Sequence, residues 1–458
     1  MDFSAPDHED TQSGPHRCEE KDSSVQERHH RTNLKRTAKK QPSNPLQRGI
    51  IEYLTEHLPE KFYTDHSLTL AALTSSLPKR FTTYPPLLLL PANSFDATPP
   101  WRDFISSLNH DQLQSLYKCI AASFSVYGVT HIALNAPIAR VTVSGEENKM
   151  RSPTGFVPLY GDFGPFPATT LTEGGGPDKQ TLYNPTETDF RAALWVRAVQ
   201  NSGITQIWAP AYTMFSRGNI REKARILGLG SGKFEGLAKG ELGQPLRDIA
   251  VVDMYAGIGY FVFSYLRRGV GRVWAWEINP WSVEGLRRGC EENGWGILVV
   301  KVDYNGQVEG GIHRLMHQLN ENHRVVAFLS DNSFAVNVLA ELKRELKRQG
   351  SWKPIRHVNL GLLPSSRQSW DGALRVLDAK AKGWIHVHEN VDAGSIDAMK
   401  ADIEHQFQSL LRSHKMIPQE AGTTDAVACT HVEKVKTYAP GVVHCVFDMC
   451  IERTPSTQ

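Results

Sequence analysis

The chain has no Cys-x-x-Cys pair. Its six cysteines, Cys18, Cys119, Cys290, Cys429, Cys445 and Cys450, are scattered over 458 residues, so neither a zinc site nor a redox pair is signalled. Scattered thiols in a long chain fit a reducing compartment. Long apolar runs are missing too. The longest aliphatic stretch, Leu87 to Leu90, is far short of the roughly 20 residues needed to span a bilayer. The N-terminus lacks the apolar core of a signal peptide. Together these absences argue against a membrane protein and lead us to expect a cytoplasmic one. There is little net charge, +2, so binding a polyanion would need a local basic patch. No Ser-His-Asp or paired-carboxylate signature stands out, and no internal repeat is visible.

What is present is an ordinary globular composition, 40% hydrophobic and 22% charged, in a chain too long for one core. Residues 1 to 44 are polar and cannot bury enough to fold alone. Within them Arg28, Arg31, Lys35, Arg36, Lys39 and Lys40 lie with no acid between Arg28 and Lys40. Such a run suits RNA phosphates, or is simply a solvated tail. Residues 45 to 210 read as a separate α+β region. Leu113 to Phe124 has helical spacing and His131 to Leu134 looks like a strand. Ser152 to Pro165, rich in Pro and Gly, reads as a loop. Phe190, Ala193, Leu194 and Ala198 give the next helix an apolar face, and Gln206 to Ala209 follows as a short strand. Residues 211 to 458 form the third region.

That third region alternates strand and helix. The expected strands are Ala250 to Met254, Val273 to Glu277, Ile297 to Val302, Val325 to Leu329, Val358 to Leu363 and Trp384 to His388. One helix follows Pro280 and another runs from Ser333 to Arg348. Val432 to Thr437 and Val442 to Ile451 read as a closing hairpin. Repeated βα units imply a mostly parallel sheet with ligands at the carboxyl ends of the strands. The segment from Gly294 to Asn322 is longer than a simple connection needs.

The chemistry sits at those strand ends. Val-Val-Asp253 is followed by Met-Tyr-Ala-Gly257-Ile-Gly259-Tyr, where the glycines allow a tight turn against a ligand. The next strand ends in Glu277, whose carboxylate suits the two hydroxyls of a ribose. A dinucleotide site needs a third glycine for its pyrophosphate. Val262 stands there instead, which favours S-adenosylmethionine. A tight turn without a ligand is the plainer alternative. Asp331 and Asn332 follow a third strand and can read an adenine edge, although both are also good helix caps. Asp303 ends another apolar run and competes for the adenine role.

Asn219 and Glu222 have capping-box spacing, so a helix starts at Ile220. Ser216 then lies in the entering loop and Lys223 one turn in, where both can face a small anion or serve only as cap and solvent lysine. Gly228-Leu-Gly-Ser-Gly-Lys-Phe fails as a P-loop, because the glycine spacing is short, Phe234 stands where Ser or Thr must hold magnesium and no strand precedes it, and residues 228 to 247 read as a flexible insert. His386 and His388 share a strand face. They lack an evident third ligand, so no metal is assigned and hydrogen bonding is the expected role.

Several blocks together resemble one family. They are Ser152-Pro-Thr, Pro158-Leu-Tyr-Gly-Asp-Phe-Gly, Trp208-Ala-Pro, Tyr212-Thr-Met-Phe-Ser-Arg-Gly-Asn, Asp253-Met-Tyr-Ala-Gly-Ile-Gly-Tyr-Phe, Glu277-Ile-Asn-Pro, Ser330-Asp-Asn, Gly361-Leu-Leu-Pro-Ser-Ser and His386-Val-His-Glu-Asn-Val. The chain resembles the tRNA wybutosine-synthesizing protein 2 family in its fungal form, over roughly residues 75 to 455. The resemblance implies an α/β class I methyltransferase (Rossmann-like) fold. It implies transfer of the 3-amino-3-carboxypropyl group of S-adenosyl-L-methionine to 4-demethylwyosine, beside the anticodon of phenylalanine tRNA. It also implies cofactor contacts at Ser216, Lys223, Glu277, Asp331 and Asn332, with Lys223 on the methionine carboxylate and Asp331 preferred to Asp303. The chain departs from the family pattern in the glycine-rich insert, the long segment from Gly294 to Asn322, and Ser333, where relatives often have Arg. A tRNA guanine-N1 methyltransferase and a non-catalytic RNA-binding protein are the alternatives.

Overall fold

A computed structural model describes residues 44–452 except 136–137, 140, 142–144, 146, 154, 166–181, 216–218, 230–231, 239, 379–381 and 415–425. The basic tail therefore lies outside the described residues, and so does Ser216.

The N-terminal region is layered. Its strands are β1 (Thr82–Tyr84), β2 (Leu87–Pro91), β3 (His131–Asn135) and β4 (Val157–Tyr160), in the order β1-β2-β3-β4. Its helices are α1 (Pro45–Glu52), α2 (Glu60–Asp65), α3 (Leu70–Ser75), α4 (Pro99–Ser107) and α5 (His110–Ser123). Asn109 and Gln112 close a reciprocal capping box at the start of α5, which satisfies two amides that would otherwise lack partners. One sheet face packs with these helices around Leu88, Leu90, Trp101, Phe104 and Ile120. The other face, through Tyr84, Leu87, Ala133 and Phe156, joins a second core with Trp208, Tyr212, Ile258 and Trp281.

Two expectations fail here. The stretch expected to be all loop holds β4, whose residues pair with β3. Its Pro and Gly flank and interrupt the apolar positions, which hides the strand. The expected helix through Ala198 stops early. Helix α6 (Glu187–Ala192) is followed by β5 (Val196–Val199), which pairs with β6 (Thr205–Trp208).

The larger sheet is built from β7 (Ala250–Asp253), β8 (Arg272–Glu277), β9 (Gly296–Lys301), β10 (His323–Leu329), β11 (Ile355–Leu360), β12 (Gly383–Asp392), β13 (Ala426–Ala439) and β14 (Val442–Glu452). Its order is β13-β14-β12-β11-β7-β8-β10-β9. The six strands from β12 to β9 run parallel, and β14 and β13 are antiparallel additions. This is the expected Rossmann-like sheet with a closing hairpin. Helix α7 (Ile220–Leu227) precedes β7, and between the strands lie α8 (Val262–Arg268), α9 (Pro280–Glu292), α10 (Gly311–Gln318), α11 (Ala335–Arg348), α12 (Trp370–Val376) and α13 (Ile396–Ser413).

Strand β8 shows how one sequence serves both faces. Trp274 and Trp276 point into one core with Phe328, Leu339 and Leu342. Val273 and Ala275 point into the other with Phe263, Leu286 and Val325. Alternation of this kind, with apolar residues on both faces, is what a parallel strand covered by helices requires. The long segment after Gly294 resolves into β9, which adds an edge strand beyond β10, and α10. Strand β11 begins three residues earlier than expected and ends at Leu360, because Arg356 and His357 are buried despite being polar.

Residues 228 to 247 are not a free linker. Phe234 and Leu237 are buried among Ile226, Tyr265 and Ile249, so the described part of the segment packs down on the sheet.

Candidate functional site

Parallel strands align their tips. Leu329 of β10 pairs with Glu277 of β8, and Asp253 of β7 pairs with Ala275. Asp253, Glu277 and the Asp331-Asn332 pair thus end up on one edge of the sheet.

Glu277 holds the turn after β7. Its Oε2 accepts from the Gly257 amide at 2.8 Å, and its Oε1 accepts from the Asn279 amide at 2.8 Å. Burial pushes the carboxyl up, against the pull of its backbone donors. Each oxygen keeps lone pairs for further donors. Gly257 and Gly259 have φ of 53° and 91°, a region costly for other residues. A Cβ on Gly257 would lie 2.6 Å from the Tyr260 ring, and one on Gly259 would lie 2.6 Å from Phe263. Both glycines are therefore required by space as well as by backbone angle.

Asp253 is fully buried. Its Oδ1 accepts from the Tyr255 amide and from Asn359 Nδ2, each at 3.2 Å. Its Oδ2 has no partner among the described residues. Burial, with a smaller push from Glu277, raises its pKa to about 7. An orphaned buried carboxylate oxygen is costly unless something completes it.

Asn332 donates to the Met254 carbonyl at 2.8 Å and accepts from Ser369 Oγ at 3.2 Å. Ser369 also meets Tyr255 Oη at 2.5 Å. Asp331 is exposed and caps the turn after β10 through the Ser333 amide at 2.8 Å. Asp303 is engaged otherwise: its Oδ1 accepts from the Asn305 and Gln307 amides at 2.9 and 2.8 Å and closes a local loop.

Lys223 stands apart from this group. It is 3% exposed, and its Nζ donates to Gln206 Oε1 at 2.9 Å and lies 5.4 Å from the Tyr260 ring centre. It borders a small cleft lined by Gln206, Tyr260 and Phe263. Neither neighbour is an anion. Burial accordingly lowers its pKa from 10.5 to about 8. The helix does start at Ile220, but Asn219 makes no side-chain cap. Glu222 turns inward instead of back onto the cap.

That inward turn belongs to a network that sequence reading missed. Arg225 Nε and Nη2 donate to the two Glu222 oxygens at 2.8 and 2.7 Å, while Nη1 and Nη2 donate to the two Asp448 oxygens at 2.5 and 3.1 Å. His386 Nδ1 meets Asp448 Oδ1 at 2.7 Å, and its Nε2 meets His357 Nδ1 at 3.0 Å. Phe234 stacks on His386, with ring centres 4.5 Å apart. The arginine and the imidazole hold Asp448 well below the usual carboxylate range, against its burial. His388 pairs with His444 at 3.0 Å, and burial holds it well below the ordinary imidazole value. His386 is thus held through both ring nitrogens, whereas His388 is held through Nδ1 and its Nε2 has no hydrogen-bond partner among the described residues. Among the described residues one set of possible metal ligands lies close together, Glu52, His57 and Cys119. It belongs to the N-terminal layer and not to the strand tips.

The donor set fits a nucleoside with a charged tail. A half-buried carboxylate, a glycine turn with no room for side chains and an orphaned carboxylate oxygen lie at adjacent tips. Apart from them on α7, against Gln206 and the Tyr260 ring, lies a buried ammonium with no counter-ion among the described residues.

No protein-family model matches the chain. The tRNA wybutosine-synthesizing protein 2 of Schizosaccharomyces pombe is 36% identical over 410 residues, covering 89% of this chain and 79% of that protein. The protein of that name from Saccharomyces cerevisiae is 30% identical over 426 residues, covering 88% and 80%. Among solved structures, Pyrococcus horikoshii TYW2 in complex with MeSAdo aligns with a TM-score of 0.47 and 19% identity, over 89% of this chain and 99% of that one. On the identity and coverage of the two yeast proteins, the chain belongs to the tRNA wybutosine-synthesizing protein 2 family.

Proposed function

We propose that this enzyme transfers the 3-amino-3-carboxypropyl group of S-adenosylmethionine to 4-demethylwyosine beside the anticodon of phenylalanine tRNA, a step of wybutosine biosynthesis carried out in the cytoplasm. The observation that carries this reading is the row of strand-tip groups at Asp253, Glu277 and Asn332, in a chain of this family. When bound, the cofactor supplies an electrophilic carbon next to its sulfonium.

The chain supplies binding and aim. Glu277 accepts the ribose hydroxyls, and Gly257 and Gly259 let the backbone close on them. Asp331 and Asn332 take the adenine edge. The free oxygen of Asp253 accepts from the cofactor's ammonium. Lys223, with Ser216, takes the carboxylate and so fixes the arm that moves. Residues 45 to 210 face the tRNA, with the tail of residues 1 to 44 adding phosphate contacts. No side chain is assigned as a base.

Mass spectrometry of phenylalanine tRNA incubated with protein and cofactor tests the reading. It requires a gain equal to an aminocarboxypropyl group. A gain of one methyl would make the enzyme a methyltransferase. No gain, together with no cofactor binding, would leave a binding protein.

A further inference from the structure

The loop after β11, Gly361-Leu-Leu-Pro-Ser-Ser, lies at the same edge as the cofactor groups, and loops at such positions are ordinarily mobile. This one is held from two sides. On one side stands the turn at residues 148–152. Asn148 is buried and donates to the Ala139 and Ser152 carbonyls at 3.1 and 2.9 Å, while its Oδ1 accepts from the Ser152 amide at 3.1 Å. That fastening keeps Arg151 at a φ of 54°, where a non-glycine residue is strained. Asn279, just past the tip of β8, donates to the Met150 carbonyl at 3.1 Å. Arg151 Nη2 donates to the Leu363 carbonyl at 2.5 Å. In the sheet order β7 lies between β8 and β11, so the turn bridges over the tip of β7 and its glycine loop.

On the other side stands Glu389 of β12, 5% exposed. Its Oε1 accepts from Ser365 Oγ at 2.9 Å and from the Ser366 amide at 3.1 Å, and Ser365 forms a bridge with it. At the Arg151 hold and just before it, Leu363 and Leu362 are half-buried and offer an apolar surface at the site edge.

We propose that Arg151 and Glu389 are positioning residues that clamp this loop as a rigid apolar platform for the face of the planar acceptor base. Neither touches the reacting atoms. They act through the Leu363 carbonyl and the Ser365-Ser366 backbone, and so set where the base lies relative to the cofactor. This inference rests on the transferase reading above.

The test is steady-state kinetics on tRNA, with cofactor titration, for Arg151→Ala, Glu389→Ala, Glu389→Gln and the Arg151→Ala/Glu389→Ala double variant. A misplaced acceptor should cost roughly 10- to 100-fold in kcat while the cofactor dissociation constant stays within about twofold, less than the tenfold that 1.4 kcal/mol represents. Glu389→Gln keeps an accepting oxygen and should restore most of the loss. Because both groups act on one loop, the double variant should lose less than the product of the two single losses. Equal loss in Glu389→Gln and Glu389→Ala would overturn the clamp, as would a multiplicative double variant or a cofactor affinity that falls in parallel with kcat. If Glu389→Ala does not fold, Arg151→Ala decides alone: wild-type kcat would overturn the clamp. Product mass from the wild-type enzyme separates these outcomes from a failure of the transferase reading itself.

Discussion

Lys223 gives the sharpest test of how this site holds its cofactor. A buried ammonium with a neutral amide and a ring as its neighbours has a pKa near 8 in place of 10.5. The folded protein therefore releases this proton more readily than the unfolded chain does. Between about pH 8 and 10.5 the unfolded state binds more protons, so stability rises with pH across that window. Below pH 8 the lysine is charged in both states, and the full cost of burying it remains, on the order of 3 kcal/mol. Replacing it with Met should raise the stability of the free enzyme at pH 7 by a sizeable part of that amount, measured by urea unfolding.

Cofactor binding should show the opposite sign. If the ammonium receives the methionine carboxylate, binding favours the charged form. Affinity is then flat below pH 8 and falls by up to tenfold per pH unit above it, reaching roughly 30-fold by pH 9.5. The α-amino group of the cofactor titrates nearby, at about 7.7–8.0 in model compounds, so the quantity to compare is the ratio of wild type to Lys223→Met. That ratio should shrink as pH rises. Methylthioadenosine, which has no carboxylate, should show neither the pH dependence nor the mutant loss. Isothermal titration at pH 7.5, 8.5 and 9.5 with both ligands decides the matter. A ratio independent of pH, or equal losses for both ligands, would remove Lys223 from the carboxylate site.

Glu277→Gln keeps the shape of the side chain but not its charge, which supports hydrogen bonds worth roughly 1.5–3 kcal/mol; the cofactor dissociation constant should rise by about one to two orders of magnitude, and an unchanged value would exclude the ribose role. Deleting residues 1 to 44 should make the logarithmic salt dependence of tRNA binding shallower and leave cofactor binding intact, because fewer counterions are released. An unaltered slope would make the tail a bystander. Asp448→Ala leaves the Arg225 guanidinium with one carboxylate, Glu222, and the Lys233 carbonyl, in a site where both Arg225 and Asp448 are at most 2% exposed. Breaking such a pair should cost about 3–5 kcal/mol of unfolding free energy, and a loss under 1 kcal/mol would mean the pair is replaceable.

The strand tips were legible because parallel strands announce themselves. Val-Val-Asp253 and Trp-Ala-Trp-Glu277 are short apolar runs ending in an acid, and a covered strand has few other ways to be written. The side proposed to take the adenine was harder. Asp303 and Asp331 both end apolar runs, and only the pairing of β10 with β8 sets Asp331 beside Glu277. Helix α7 was legible only in part. In sequence Glu222 reads as a cap, Lys223 as an anion contact or a solvent lysine, and Arg225 carries no signal, yet all three are buried. What makes that tolerable is Asp448, 223 positions from Arg225, and no local pattern can reveal a partner that distant. Strand β4 was lost for the opposite reason. Its Pro and Gly carry strong local signals, and pairing with β3 overrides them.

The buried network and the choice of transferred group belong to one argument. On a sulfonium three carbons are open to attack, and the one in line with the nucleophile reacts, since good alignment is worth many orders of magnitude in effective concentration. Selecting the aminocarboxypropyl arm therefore depends on where the far end of that arm is held. Lys223, the residue proposed to hold it, lies between Glu222 and Arg225 on α7. Those two neighbours are tied to each other and, through Asp448 and His386, to β14 and β12. Phe234 covers His386 from the insert side. An ionic cluster of this kind is a poor source of stability, because desolvation offsets most of the attraction. It is a good source of position, because several directional bonds must be satisfied together or not at all. Apolar packing alone would let α7 slide by a fraction of an ångström at little cost. A charged lattice on both sides of Lys223 does not, and a site that must choose among three similar carbons needs that restriction.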